Sequence, residues 1–168
     1  DLRLTVGTDG SLLAVYWTHD VANEVGLNVH TSLSQDAGRT WSVPEDAGFW
    51  GQVTSVCGLA SGRVVAVTNH RRAPLGVRAV LSEDGGRCFD ESDHVELWGF
   101  EPARVRNAPV QTRRRDTVAD ALDAYHHFTF GTPSVTQLPD GTLLAVFYVT
   151  EEHVTYVRSC RLREVEGS

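Results

Sequence analysis

The sequence predicts an all-β chain built from a repeated antiparallel unit, and three observations carry that prediction. A glycine turn followed by a short apolar run occurs three times without gaps. A second signature, Ser-x-Asp-x-Gly-x-Thr-Trp, follows the first two occurrences. The spacing between occurrences suits about one four-stranded unit per repeat.

The three runs are Asp9-Gly10-Ser11-Leu12-Leu13-Ala14-Val15-Tyr16, Ser61-Gly62-Arg63-Val64-Val65-Ala66-Val67-Thr68 and Asp140-Gly141-Thr142-Leu143-Leu144-Ala145-Val146-Phe147. Glycine supplies the positive φ that a tight turn demands, and each apolar run is too short for a helix. A short strand precedes each turn: Leu2 to Val6, Val53 to Leu59, and Pro133 to Leu138. Strand, glycine turn and strand together read as the two inner strands of one antiparallel unit.

The second signature is Ser34-Gln35-Asp36-Ala37-Gly38-Arg39-Thr40-Trp41, which fits its pattern at every specified position. Ser82-Glu83-Asp84-Gly85-Gly86-Arg87-Cys88-Phe89 is a looser copy, with Cys88 for Thr and Phe89 for Trp. Its chemistry is structural. An Asp carboxylate accepts backbone N–H groups inside a tight turn, Gly38 and Gly86 supply a left-handed position, and Trp41 and Phe89 are expected to anchor the turns in the core.

Gly62 follows Gly10 by 52 residues, and Gly141 follows Gly62 by 79, an excess of 27. The excess predicts an insertion between Gly99 and Phe130. It holds Arg104, Arg106, Arg113, Arg114 and Arg115, then a helix near residues 116–126 with Val118, Leu122 and Tyr125 on one face. The closing segment Phe130 to Tyr148 resembles the last blade of sialidase-like Asp-box propellers, and that resemblance implies a third strand from His153 to Arg163 with no fourth after it.

These turns and strands resemble the sialidase-like, BNR/Asp-box β-propeller family, whose repeat is the Asp-box. The resemblance implies a single partial domain over residues 1–168. It would hold three consecutive blades of a six-bladed ring, at about 1–50, 51–130 with its insertion, and 131–163. The ring is then incomplete. Its remaining blades belong to a longer protein, an expectation that the start at Asp1 without Met supports, or a second copy covers the open faces.

The family uses an Arg triad to hold the substrate carboxylate, a Tyr nucleophile paired with Glu, and an Asp acid/base. The first Arg and the Asp would lie outside this chain. Where the Tyr should open an inner strand, Gly131-Thr132-Pro133-Ser134 stands instead, so no catalytic residue is assigned. Ligands would meet the face formed by the second-to-third-strand loops, Thr18 to Glu24, Asn69 to Pro74 and Thr150 to His153. Those loops, with the approach through Tyr125 and His126, offer His19, Asp20, Asn69, His70, Arg71, Arg72, His127, Glu151, Glu152 and His153. A guanidinium fork suits a carboxylate, and His or Glu suits acid–base work. Arg71 and Arg72 are adjacent, so only one is expected to face the ring axis.

The implied function is part of a sialidase-like glycoside hydrolase acting on anionic glycans, inactive in isolation. A non-catalytic glycan- or protein-binding propeller is the alternative. Composition is that of an ordinary soluble globular protein, 41% apolar and 22% charged, and the ligand the resemblance implies is a glycan or other small carbohydrate. All fifteen basic residues are Arg against 22 acidic ones, for a formal charge of −7. That balance disfavours general nucleic-acid binding, which needs cationic surface. No run is long enough to cross a bilayer, and no signal segment opens the chain. Cys57, Cys88 and Cys160 form no Cys-x-x-Cys pair, and His126-His127 lacks further ligands at fixed spacing. No metal or cofactor is expected, and compartment and thiol redox state are left open.

Overall fold

The computed structural model describes residues 1–99, 129–151 and 154–165. Strands β1 (Leu2–Val6) and β2 (Leu12–Tyr16) pair across the first glycine turn. After a small hairpin, β3 (His19–Asp20) against β4 (Val25–Gly26), the chain returns as β5 (His30–Ser34) on β2, and β6 (Glu45–Asp46) completes the first sheet. The second sheet follows as β7 (Thr54–Gly58), β8 (Val64–His70), β9 (Gly76–Ser82) and β10 (Val95–Gly99), with a 3-10 turn at Glu91–Asp93. The third has β11 (Phe130–Gln137), β12 (Leu143–Glu151) and β13 (Val154–Leu162), and no fourth strand among the described residues. All pairings are antiparallel and none of the sheets closes on itself, an all-β, propeller-like arrangement. The expected insertion and its helix lie outside the described residues.

Alternation along each central strand sends successive side chains to opposite faces, so one strand serves two cores. Leu13, Val15 and Phe49 of the first sheet and its outgoing connection pack against Val64, Ala66 and Phe89. Val65, Val67 and Val77 point the other way, against Val135, Phe147 and Val149 of the third sheet. The inner strands β1, β7 and β11 lie side by side. Hydroxyls join them: Gly58 N donates to Thr5 Oγ1 at 2.8 Å, and Val135 N to Ser55 Oγ at 3.1 Å.

Register fixes two ends. Leu12 opposes Ser34 and Val64 opposes Ser82, so glycine turns and Ser-Asp turns share one end. Tyr16, His70 and Glu151 close their strands at the other end.

At the turn end the carboxylates organise their own loops. Asp36 accepts Thr40 N at 2.8 Å and the Thr40 and Ser34 hydroxyls, while Ser34 Oγ accepts Gly38 N. The hydroxyl and N–H of Thr40 hold the Asp36 carboxyl down at about 2. In the second turn Asp84 accepts Ser82 Oγ, Arg87 N and Cys88 N. Partial burial raises the Asp84 carboxyl, and these bonds outweigh it to leave the group below its ordinary value. Phe89 is buried, as an anchor should be. Trp41 is not: it is 41% exposed, which corrects the expectation that it seats its turn in the core. It lies beside Gly38 and lines an open cavity with Leu33, Glu45 and Arg87.

Candidate functional site

Two of the expected loops are shorter than the sequence implies. β8 runs on to His70, paired with Gly76, so Asn69 and His70 are buried strand residues rather than loop residues. His19 and Asp20 likewise sit in β3, opposite Gly26 and Val25. The reason is the same in both places: ladder hydrogen bonds satisfy backbone groups that a loop would leave to water.

Arg71 leaves the end of β8 and stays 5% exposed. Its Nη2 donates to Phe130 O at 2.8 Å, Nη1 reaches Gln52 Oε1 at 3.5 Å, and the guanidinium lies 5.5 Å from the Phe130 ring centroid. Phe130 opens β11 and Gln52 precedes β7, so Arg71 joins the starts of two inner strands. Asn69 is fully buried, and neither of its amide atoms has a hydrogen-bond partner among the described residues.

Gly131 explains how these groups come together. A Cβ there would stand 2.9 Å from Arg71 Nη2, 3.0 Å from Asn69 Nδ2 and 3.2 Å from Tyr148 Oη. The strand pairing shifts between Gly131 and Ser134, and Thr132 takes φ 47 inside that bulge. A β-branched residue at positive φ is strained backbone, and bulges re-aim side chains near functional sites. Three hydrogen-bond donors thus meet at the opening of β11, an arrangement suited to an oxygen acceptor such as a carboxylate.

Arg72 turns the other way. Its guanidinium sits 4.3 Å above the Trp50 ring and donates to Gly26 O at 3.1 Å. Trp50 also meets the His70 ring edge-on. His70 Nδ1 donates towards the Arg72 and Pro74 carbonyls, and its Nε2 lies 3.5 Å from Glu91 Oε1, with Arg78 Nη1 at 4.0 Å from that oxygen. Burial, then the Arg78 charge, pushes the imidazole below its ordinary value despite the Pro74 carbonyl and Glu91. His70 is therefore a neutral, packed imidazole around neutral pH.

The remaining described candidates have partners or neighbours of their own. Asp20 accepts Asn23 Nδ2, Ala22 N and Asn23 N, capping its own turn, and these bonds lower its carboxyl. His19 lies 5.7 Å from the Trp17 ring, and neither imidazole nitrogen is hydrogen-bonded among the described residues. Glu151 accepts the Tyr156 hydroxyl and, at 3.2 Å, Arg158 Nη2. Tyr125, His126, His127, Glu152 and His153 lie outside the described residues. Among those described, no group of three or more His, Cys, Asp and Glu could hold a metal ion, and no helix is long and apolar enough to cross a membrane.

The sequence reading missed Gln52, Trp50, Glu91, Tyr148, Tyr156 and Arg158. Tyr148 carried a signal: it alternates with Leu144 and Val146 on β12, in register with Gly131. The bulge at Thr132 hid that register.

No protein-family model and no curated protein matches the sequence. Solved structures do. A protein of unknown function from Dyadobacter fermentans DSM 18053 superposes with TM-score 0.62 at 18% identity, over 95% of this chain and 36% of that one. The NanB sialidase from Streptococcus pneumoniae superposes with TM-score 0.56 at 14% identity, over 96% of this chain and 23% of that one. The likeness is one of fold. This chain spans well under half the length of either protein, in an all-β, sialidase-like arrangement.

Proposed function

We propose that the chain is part of a sialidase-like glycoside hydrolase acting on anionic glycans. Its three sheets are consecutive blades of the ring, with Asp-boxes at the end opposite the ligand. One observation carries the reading: the buried amide of Asn69, without a hydrogen-bond partner among the described residues, beside Arg71 and Tyr148 at Gly131. A buried amide without partners costs stability; a carboxylate oxygen would accept from Asn69 Nδ2, and a sugar hydroxyl would donate to its Oδ1. Arg71 supplies charge and a fork, Asn69 and Tyr148 fix orientation.

This portion supplies recognition rather than the nucleophile. Tyr156, paired with Glu151, lies on β13, two strands away from β11. At ordinary strand spacing that is ~10 Å from where the family's Tyr should stand. The missing Tyr at Gly131–Ser134 equally favours a non-catalytic glycan-binding propeller as the second reading. The ring's other blades, or a second copy, would decide between them.

Calorimetric titration of the purified protein with N-acetylneuraminic acid tests the site. The wild type should bind, and Arg71→Ala and Asn69→Leu should each weaken binding about tenfold, ~1.4 kcal/mol, or more. Methyl galactoside, which lacks the carboxylate, should not compete. Absence of binding, or affinity indifferent to both substitutions, would overturn the reading. Release of free sialic acid by these 168 residues alone would refute the assignment of recognition without turnover.

A further inference from the structure

The cavity that Trp41 lines opens between the first two sheets. Gln35, Trp41 and Glu45 come from the first sheet and its Ser-Asp turn, Arg87 comes from the second sheet's turn, and the space they border measures about 430 Å³. Leu33, on its floor, opposes Leu13 in the ladder and packs with it against the core that the two sheets share. Such a volume falls in the range of small-molecule sites, roughly 300–1,000 Å³.

Trp41 is presented to this space on fixed backbone. Before it, Asp36 accepts Thr40 N at 2.8 Å; after it, Ser42 N donates to Leu33 O at 2.8 Å and Leu33 N to Ser42 Oγ at 3.1 Å. An indole held in this way has little freedom left to lose when a ligand stacks on it. Around it the lining is polar. The Gln35 amide donates and accepts, the Glu45 carboxylate accepts, and the Arg87 guanidinium donates. Among the described residues, none of these three side chains is engaged by a hydrogen bond or an ion pair. One cation and one anion leave the groove without net charge.

This combination matches the two faces of a sugar. A pyranose with equatorial hydroxyls turns a sheet of C–H bonds outward, and their slight positive charge suits the negative face of an indole. Its rim carries neighbouring hydroxyls that a planar amide, carboxylate or guanidinium engages in pairs. A protein partner would want an apolar centre within roughly 800 Å² of its own surface, whereas Leu33 and Trp41 are the apolar members of this lining.

We propose that this groove is a second carbohydrate site, which stacks an uncharged, equatorially substituted sugar on Trp41 and holds its hydroxyls through Gln35, Glu45 and Arg87. It goes beyond the anion site and does not depend on it. Asn69 and Arg71 meet at the opening of β11, an inner strand, whereas the groove includes Glu45 of β6, the last strand of the first sheet. Lacking a buried acid or base, the groove holds a glycan without cleaving it.

Chitotriose, an uncharged chain of N-acetylglucosamine, is titrated into the purified protein by saturation-transfer NMR, which reads the ligand rather than the indole. Binding should saturate with a Kd on the order of 1 mM. Trp41→Ala should weaken it about tenfold or more, whereas Trp41→Tyr, which keeps an aromatic face, should stay within about threefold. Arg87→Ala should weaken it about threefold. Arg87 is exposed, so that variant carries the test even where Trp41→Ala fails to fold. No saturable binding, affinity indifferent to Trp41→Ala and Arg87→Ala, or binding of a polyproline peptide in place of chitotriose overturns the proposal. N-acetylneuraminic acid should not displace chitotriose; displacement would mean one shared site and would overturn it too. Absence of N-acetylneuraminic acid binding with the chitotriose pattern intact would sink the anion site alone.

Discussion

The two ends of the strands solve opposite problems. At the turn end, Arg63 and Ser61 reach Glu164 and Ala60 N reaches Gln137, while the Asp carboxylates close on partners a few residues away, Asp9 on Ser11, Asp36 on Thr40, Asp84 on Cys88 and Asp140 on Thr142. Each of these carboxyls is held below its ordinary value by hydrogen bonds from the loop it organises. At the loop end, contacts bridge distant parts of the chain: Arg71 to Phe130, Arg72 to Gly26, Trp50 N to Glu91. Polar atoms of Asn69, Trp17, His19 and Trp50 are buried there without hydrogen-bond partners among the described residues. The difference teaches where stability and recognition reside. The Asp carboxylates of one end are satisfied by their own loops, and buried polar atoms without partners among the described residues gather at the other.

The largest expected effect tests the first half of that contrast. Phe89→Ala removes a ring that is 1% exposed and should cost about 3–5 kcal/mol in urea unfolding, without changing affinity for N-acetylneuraminic acid per folded molecule. Equal losses of stability and affinity would show that the two ends are coupled. A smaller effect is expected from Gly131→Ala at the loop end. The added methyl crowds Arg71, Asn69 and Tyr148, so it should cost about 1–3 kcal/mol and abolish binding. Retained binding would mean that the ligand does not approach Gly131.

The smallest effect is a pH dependence. The Asp36 carboxyl sits at about 2 in the fold, below its ordinary value of 3.8. A depressed folded value means the bonds stabilise fully above the unfolded value, and that contribution is lost as pH falls through the folded one. The urea midpoints of the wild type and Asp36→Asn should therefore differ by a constant amount from neutral pH down to about pH 5 and converge between about pH 4 and pH 2. A gap that persists at pH 2 would assign the difference to something other than this charge.

Legibility in the sequence follows the same division. β1 and β2 begin and end where alternation and the glycine turn place them, because the turn and its strands lie within a few residues. The Ser34 and Ser82 turns were equally readable, with the Asp carboxylates as acceptors of backbone N–H groups. The Trp41 ring was not, because its partner would have to come from another sheet. Phe89 found that partner in Phe49, and the weaker copy of the motif became the better anchor. At the loop end the sequence named Asn69 and Arg71 but gave them no companions. Tyr148 and Gln52 join them through register and through a bulge at Thr132, which one-dimensional spacing does not encode.

β13 ends the third sheet with nine residues and no neighbour on its far side among the described strands. A long bare edge is where another chain can add a rung and begin a fibril. Val154, Tyr156 and Val157 would suit such growth. Arg158 and Arg161, spaced along the same strand, oppose it. An arriving strand must strip water from guanidinium groups, and an identical strand brings the same charge to meet them. The two cations thus disfavour pairing of this edge with an identical strand.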